Sequence, residues 1–327
     1  MSYSPILIVA GEPNSIFLEI FFKVINKNKI NSPIILITSI KLLKLQMKKL
    51  NFKKKIKILK QLDLGNQKLD NKKINLINIE YNQAKAFEKI SKKSNLFIEN
   101  SFKTAFKIIR RNKIHKLING PISKETFLNK NFLGITEYIS KKFSIKKTGM
   151  LIYNKKLSVC PVTTHLPLKQ VTEKINKKII SEKVYLINEF YKKYFNIKPN
   201  IGILGLNPHC ESVHKFNEDE KIIKPCVKNL KKKYNVTGPH PADTIFLKYN
   251  RKKFDVIIGM YHDQVLTPLK TLFEYDAINI TLGLPFIRIS PDHGPNEKML
   301  GMNKSNPTSL LKAIKFLDKN WLLQKEV

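Results

Sequence analysis

Two kinds of stretch alternate along the chain: short runs rich in Ile, Val and Leu, and longer segments in which apolar residues recur at helical spacing. The short runs predict strands at Pro5 to Val9, Pro33 to Thr38, Ile74 to Ile79, Lys116 to Asn119 and Gly149 to Tyr153. Further strands are predicted at Leu157 to Thr163, Asn200 to Leu206, Phe254 to Met260 and Ala277 to Thr281. Helices are predicted over Ile16 to Asn26, Asn95 to Arg111, Lys174 to Tyr194, Glu218 to Lys232 and Pro307 to Asn320. The weakly patterned stretch from Lys41 to Lys73 predicts a peripheral excursion of helix and hairpin. Strand and helix in alternation mean an α/β fold, a sheet with helices on its faces. No Gly-, Ser- or Pro-rich linker and no internal repeat divides the chain, so a two-part division is expected as a cleft inside one continuous sheet system.

At 327 residues the chain can bury a substantial core. No apolar run approaches the length of a membrane span, and the opening MSYSPILIVAGEPNS has neither the charged start nor the cleavage site of a signal peptide, so a cytoplasmic protein with no membrane partner is expected. Cys160, Cys210 and Cys226 are odd in number and widely spaced, which argues against a disulfide framework and against a cysteine-built zinc site. Lys and Arg number 60 against 25 Asp and Glu, a formal charge of +35. Only Arg110, Arg111, Arg251 and Arg288 are arginines. Specific nucleic-acid readers enlist arginine forks and stacked aromatics, and neither is concentrated here, so no specific nucleic-acid partner is expected. The lysines read as solvated helix faces that also raise the local concentration of anionic ligands.

Candidate chemistry gathers where strands end. His165, His209 and His262 each follow an apolar run, in Thr-Thr-His-Leu-Pro, Leu-Asn-Pro-His-Cys and Met-Tyr-His-Asp-Gln. Open α/β sheets place ligands beyond the carboxyl ends of their strands, so three such imidazoles can converge on a divalent metal with coordination positions left for substrate oxygens. The bland reading of each one is a histidine satisfied by a backbone carbonyl at a turn. His115, His214 and His240 lack the strand-end setting and are read as surface or loop residues. Arg288 follows an apolar stretch amid Gly and Pro, and its fork matches phosphate or carboxylate. Lys270 is a possible second cation, and Asn279 a neutral donor and acceptor. The first turn reads Ala10-Gly11-Glu12-Pro13-Asn14-Ser15, so the dinucleotide fingerprint GxGxxG is missing.

Several blocks together carry a resemblance. TTHLPL at 163 to 168, GLNPHC at 205 to 210, GPHPADTIF at 238 to 246, MYHDQ at 260 to 264 and NITLGLPFIRISPDHG at 279 to 294 resemble the 4-hydroxythreonine-4-phosphate dehydrogenase family. NGPISKE at 119 to 125 and the opening GEPNS are similar too, and the likeness is weakest from Lys41 to about Asn112. The resemblance implies the isocitrate/isopropylmalate dehydrogenase-like fold, with two α/β/α subdomains around a central cleft. We expect subdomain A over about 1–125 plus 270–327 and subdomain B over about 126–269. It also implies a homodimer with its active site at the subunit interface and ligands shared between protomers.

The same resemblance implies that His165, His209 and His262 bind one divalent cation per subunit, Zn, Mg or Co. It implies substrate contacts from Thr136, Lys270, Asn279 and Arg288, and NAD as cofactor, with NADP the alternative. His293, Gly294 and Asn306 are similar to the loop with which that superfamily holds the adenosine end of NAD, which accounts for the missing glycine fingerprint. The implied reaction is oxidation and decarboxylation of 4-phosphooxy-L-threonine to 3-amino-2-oxopropyl phosphate in vitamin B6 biosynthesis. Lys270, Asp263 and Asp243 are all candidates for its base.

Three positions depart from the family pattern. Ile135 stands where the family has a substrate-touching histidine, Asn14-Ser15-Ile16-Phe17 lacks the later glycines of the opening loop, and Cys210-Glu211-Ser212 replaces a small-residue and Gly-Glu pattern. Ile135 makes a related dehydrogenase for threonate or erythronate 4-phosphate the alternative. A basic nucleic-acid-binding protein on an enzyme-like scaffold is the reading from another class.

Overall fold

The computed structural model describes residues 3–60, 64, 67, 69–112, 114–128, 132, 134–211, 216–291 and 293–319. His214 lies outside them. The chain forms two compact units, one of Met1–Ile139 with Pro285–Val327 and one of Ser140–Leu284. Both divisions fall later than the expected 125/126 and 269/270. At the first, Tyr138 packs edge-on against Phe102 and Phe127 and stays with the first unit. At the second, residues 278–282 pair in antiparallel register with 149–153 and stay with the second unit.

The first unit runs β1 (Ile6–Val9), α1 (Phe17–Lys27), β2 (Ile34–Thr38), α2 (Ile40–Lys49), β3 (Ile56–Ile58) and β4 (Ile74–Asn78). It continues with α3 (Asn95–Asn112), β5 (Lys116–Asn119) and α4 (Ile135–Lys142). The second unit follows with β6 (Gly149–Tyr153), β7 (Ser158–Pro161), α5 (Val171–Lys174), α6 (Lys177–Phe195), β8 (Ile201–Leu204), α7 (Lys224–Leu230) and β9 (Val236–His240). It ends with α8 (Ala242–Ile245), α9 (Lys248–Arg251), β10 (Val256–Gly259), α10 (His262–Phe273) and β11 (Ile278–Leu282). The chain then returns to the first unit as β12 (Ile287–Pro291) and α11 (Thr308–Leu317).

In the first unit the strand order is β3-β4-β2-β1-β5-β12, and every pairing is parallel. β1, β2 and β5 are buried at every position, as strands covered on both faces must be, and β1 and most of β2 accordingly read as apolar runs, while β5 buries Lys116 and Asn119 at its ends. In the second unit the order is β11-β6-β7-β10-β8-β9. Here β6 runs antiparallel to both β11 and β7, while β7, β10, β8 and β9 are parallel neighbours. Its core joins Ile152, Val159, Leu204, Ile257, Val265 and Leu269. The expected α/β class is the observed one.

Of the elements that differ from expectation, four have a plain physical reason. The Lys41 to Lys73 excursion contains the expected helix, but β3 adds to β4 in parallel, and no hairpin lies among its described residues. α10 carries Pro268, which lacks an amide donor and disguises the helical pattern. β12 holds a buried arginine and ends in proline, and β9 reads Val-Thr-Gly-Pro-His, so neither shows an apolar run.

Candidate active site

In the first unit the site is built where β1, β5 and β12 end. After β1 the turn at Gly11 adopts φ +79°, and a Cβ there would fall 2.3 Å from the Pro121 carbonyl oxygen. Gly120 is as crowded, since a Cβ would lie 2.1 Å from Ala10 O. The loops after β1 and β5 therefore cross at backbone contact, which only glycine permits. Glu12, buried in that crossing, accepts from Asn14 N at 3.2 Å and Ser94 Oγ at 3.0 Å, and burial raises its pKa.

Arg288, the second residue of β12, is fully buried. Its Nε donates to Asn119 Oδ1 at 2.7 Å, one terminal nitrogen donates to Thr136 Oγ1 at 3.3 Å, and the other bonds Ser290 Oγ. Burial pushes the guanidinium down to about 9, Glu137 offsets part of that, and the group stays cationic at neutral pH. Glu137 Oε2 is itself buried without a partner. Thr136 is held in place because α4 is anchored by Tyr138, whose ring meets Phe102 at 5.8 Å, Phe127 at 5.4 Å and Phe132 at 5.5 Å. A buried, fixed fork of this kind costs solvation and is matched by an anion. Sequence reasoning singled out Arg288 and Thr136 but missed Asn119, Ser290 and Glu137. The signal was present, because Asn119 and Ser290 lie inside the quoted blocks.

The expected cofactor residues lean on α1. His293 stacks on Phe17, with ring centroids 6.3 Å apart, and its Nδ1 lies 3.0 Å from Gly294 O. With that proton spent on the carbonyl, Nε2 is a buried acceptor without a partner. Beyond Gly294 a Cβ would meet nothing within 4 Å. Asn306 Oδ1 accepts from Thr308 N at 2.9 Å, capping α11, and Ser305 Oγ is buried without a partner. Orphaned polar atoms beside open space fit a group bearing donors, as the adenosine end of NAD would.

In the second unit β7 and β10 are in register, Pro161 opposite Gly259, so the chains leaving them emerge side by side. Val162 N donates to Gly259 O and Thr163 Oγ1 to Met260 O, which carries the pairing past the strands. His165 and His262 consequently stand with ring centroids 5.9 Å apart, beside a cavity of about 440 Å3 also lined by Thr163, Tyr261 and Asp263. His262 Nδ1 lies 2.6 Å from Asp263 Oδ1, which leaves Nε2 for a ligand.

His209 is the third predicted ligand, and within one chain it does not join the other two. Among the described residues no group of three or more His, Cys, Asp or Glu is placed to hold a metal ion. β8 flanks β10 on the side away from β7. His209 follows on an exposed loop that Asp219 anchors by accepting from Leu206 N at 2.8 Å and Asn207 N at 3.0 Å. His165 and His209 both adopt positive φ, +46° and +55°. Such backbone costs about 1–3 kcal/mol per residue and is concentrated at functional sites. Two imidazoles side by side at the mouth of a cavity fit a divalent cation in donor type, and the set within one chain lacks a third donor.

Of the base candidates, Lys270 is half-buried on α10 and burial depresses its pKa. Asp263 is exposed and engaged with His262, and Asp243 is exposed on α8. Asn279 on β11 has a buried Oδ1 without a partner, an acceptor available to a substrate donor. All three cysteines are buried, and burial raises each thiol, Cys160 to about 11.

Fold and residues together define an α/β protein with a buried, hydrogen-bonded guanidinium in one unit and paired imidazoles in the other. The chain belongs to the family of the pyridoxal phosphate biosynthetic protein PdxA, whose model matches residues 29–317. It is 39% identical to a 4-hydroxythreonine-4-phosphate dehydrogenase of Sulfurihydrogenibium sp. over 94% of this chain and 95% of that one. It is 34% identical to a D-threonate 4-phosphate dehydrogenase of Pectobacterium atrosepticum, covering 65% of this chain and 66% of that one. The crystal structure of 4-hydroxythreonine-4-phosphate dehydrogenase from Klebsiella pneumoniae superimposes with a TM-score of 0.83 at 25% identity, covering 96% and 98% of the two chains. The family is one of oxidoreductases. No helix among the described residues is long and apolar enough to cross a membrane.

Proposed function

We propose that this chain, as a homodimer, oxidises and decarboxylates 4-phosphooxy-L-threonine with NAD, giving 3-amino-2-oxopropyl phosphate for vitamin B6 synthesis. The observation that carries the reading is the buried guanidinium of Arg288, fixed by Asn119, Thr136 and Ser290. A cation so costly to bury suits a doubly charged phosphate or a carboxylate.

A divalent cation held by His165 and His262, with His209 supplied by the second copy, would act as a Lewis acid on the substrate alcohol when bound. Lys270, its pKa lowered by burial, takes the proton from the alcohol oxygen, and NAD, when bound, would supply the acceptor for hydride from the carbon bearing that oxygen. The β-keto acid so formed loses carbon dioxide, and the electron pair left behind is protonated at carbon. Asn279 Oδ1 accepts from the substrate's amino group, and Thr136 orients the anion beside Arg288. His293, Gly294 and Asn306 would hold the adenosine end of NAD.

A second reading is favoured by Ile135, half-buried beside Thr136 with no polar atom on its side chain, and by the likeness to a D-threonate 4-phosphate dehydrogenase. That substrate carries a hydroxyl where phosphothreonine carries an amine. The deciding experiment follows NADH absorbance with 4-phosphooxy-L-threonine, D-threonate 4-phosphate and D-erythronate 4-phosphate, each with and without added divalent metal. Fastest metal-dependent turnover of phosphothreonine is expected. No NADH from any of the three would overturn both readings.

A further inference from the structure

The first unit holds a second cavity, of about 440 Å3, at the amino ends of β2 and β4. Asn119 and its partner Arg288 lie toward the carboxyl end of β5 in the same parallel sheet, so this cavity is at the opposite edge and is no part of their site. Phe21, Ile25, Ile30, Ile34 and Ile74 give it an apolar lining. Lys29, Lys54, Lys72 and Lys73 also border it, against the single acid Asp70.

Its walls are fixed in advance. Asn71 Oδ1 accepts from Ile34 N at 2.9 Å, and its amide donates to Ile30 O at 3.0 Å and Ser32 O at 2.9 Å. On the other side of the same loop the Asp318 carboxylate accepts from Asn31 N at 3.0 Å and Ser32 N at 2.7 Å. One polar atom is left over. Asn75 is 1% exposed, and its amide is spent on Ile34 O at 3.0 Å and Asp70 O at 2.8 Å, while its Oδ1 is buried with no donor. Lys54 is similarly underused, its Nζ 3.4 Å from Ile25 O at the long limit of a hydrogen bond. Burial pushes that ammonium down, with Asp70 offsetting part of the effect.

Leaving a buried acceptor unmet costs about 1–3 kcal/mol. An apolar cavity of this size with a few convergent polar groups has the make-up of a small-molecule site. We infer that it binds a small aromatic anion bearing an N–H or O–H on its ring. The ring lies among the isoleucines and Phe21, the acidic group among the lysines, and the ring donor on Asn75 Oδ1. A rigid ring carries charge and donor together with little ordering cost.

Indole-3-acetate is the probe, titrated into the full chain by calorimetry. We expect one site per chain with Kd below about 1 mM. Indole, which lacks the anion, and naphthalene-1-acetate, which lacks the ring donor, each bind roughly 10-fold more weakly, the value of one hydrogen bond or ion contact. Lys54→Met weakens the probe about 5-fold by removing one cation. Ile25→Trp, which fills the cavity from a half-buried position, abolishes binding. Both variants keep the parent turnover, since neither residue touches the dehydrogenase site. Should Ile25→Trp melt early, the Lys54 variant and the three-probe comparison decide alone. Equal affinity for the three probes, unchanged binding in the Lys54 variant, or no binding heat at about 1 mM probe each overturns the inference. Because binding is read on the resting chain, its outcome is independent of which substrate is oxidised.

Discussion

Arg288 is a side chain whose shape matters as much as its charge. Three partners on β5, α4 and β12 hold its fork, and a lysine could serve only part of that set. Arg288→Lys is therefore expected to raise the Michaelis constant for the phosphorylated substrate at least about 10-fold, with a smaller fall in kcat, in steady-state assays. Lys116 is a buried cation of the opposite kind. It is 2% exposed, lies 3.3 Å from Ser4 O and 3.4 Å from Ser32 Oγ, and is pushed down to about 8 by burial. Between pH 8 and 10.5 the unfolded chain binds a proton that the folded chain has released, so stability attributable to this group rises with pH across that window. Lys116→Met is expected to stabilise the protein at pH 7 by about 1–3 kcal/mol. The difference from the parent should shrink toward pH 10.5 in urea titrations. Lys270 gives a kinetic signature: kcat/KM falls as pH drops through its depressed pKa, and Lys270→Met removes that limb from the pH profile.

At the scale of elements, the second unit's site depends on loops tied to one another. Gln264 accepts from Met260 N at 2.7 Å and donates to Gly205 O at 2.8 Å, joining the start of α10 to the loop that carries His209. Gln264→Leu strands both backbone groups and is expected to cost about 2–4 kcal/mol in chemical denaturation. Looser divalent-metal binding in a competition assay with a chromogenic chelator should accompany it. Sequence pattern reached much of this level. β5 and β6 fall on the predicted residues because each has a short apolar centre, Leu117-Ile118 and Met150-Leu151-Ile152, bounded by residues that punctuate it. β12 escaped because its second residue, Arg288, is charged yet buried, a placement that the surrounding Asn119, Thr136 and Ser290 make tolerable. Asn119 escaped as a site residue for a related reason: an asparagine at the end of a strand looks like a turn former until its guanidinium partner, 169 residues away, is seen. His165 and His262 were legible because both immediately follow strands that turn out to be adjacent.

For the whole molecule, the proposed sharing of ligands between two copies makes a sharp prediction. His165→Ala and His209→Ala homodimers should each be inactive. Mixed and re-equilibrated in equal amounts, they should recover about a quarter of parental activity, since half the dimers are hybrid and each hybrid holds one intact site. Failure to recover any activity, with hybrid dimers verified by mass spectrometry, would leave His209 without its proposed role. The +35 charge adds an ionic-strength signature, because capture of an anionic substrate slows as salt screens the field, while kcat is held by groups in close contact.

The outer strand β3 gives the lysine surplus a further purpose. Its far side meets no other strand among the described residues, and Ile58 stands 60% exposed on it. An outer strand with an exposed apolar side chain is a template for fibre growth. Lys53, Lys54, Lys55, Lys57 and Lys60 crowd the same few residues, so any approaching copy must stack ammonium on ammonium before a rung can form. Neutralising that cluster, by acetylation or by charge-reversing substitution, would turn a quiet border into a nucleus for aggregation long before catalysis suffered.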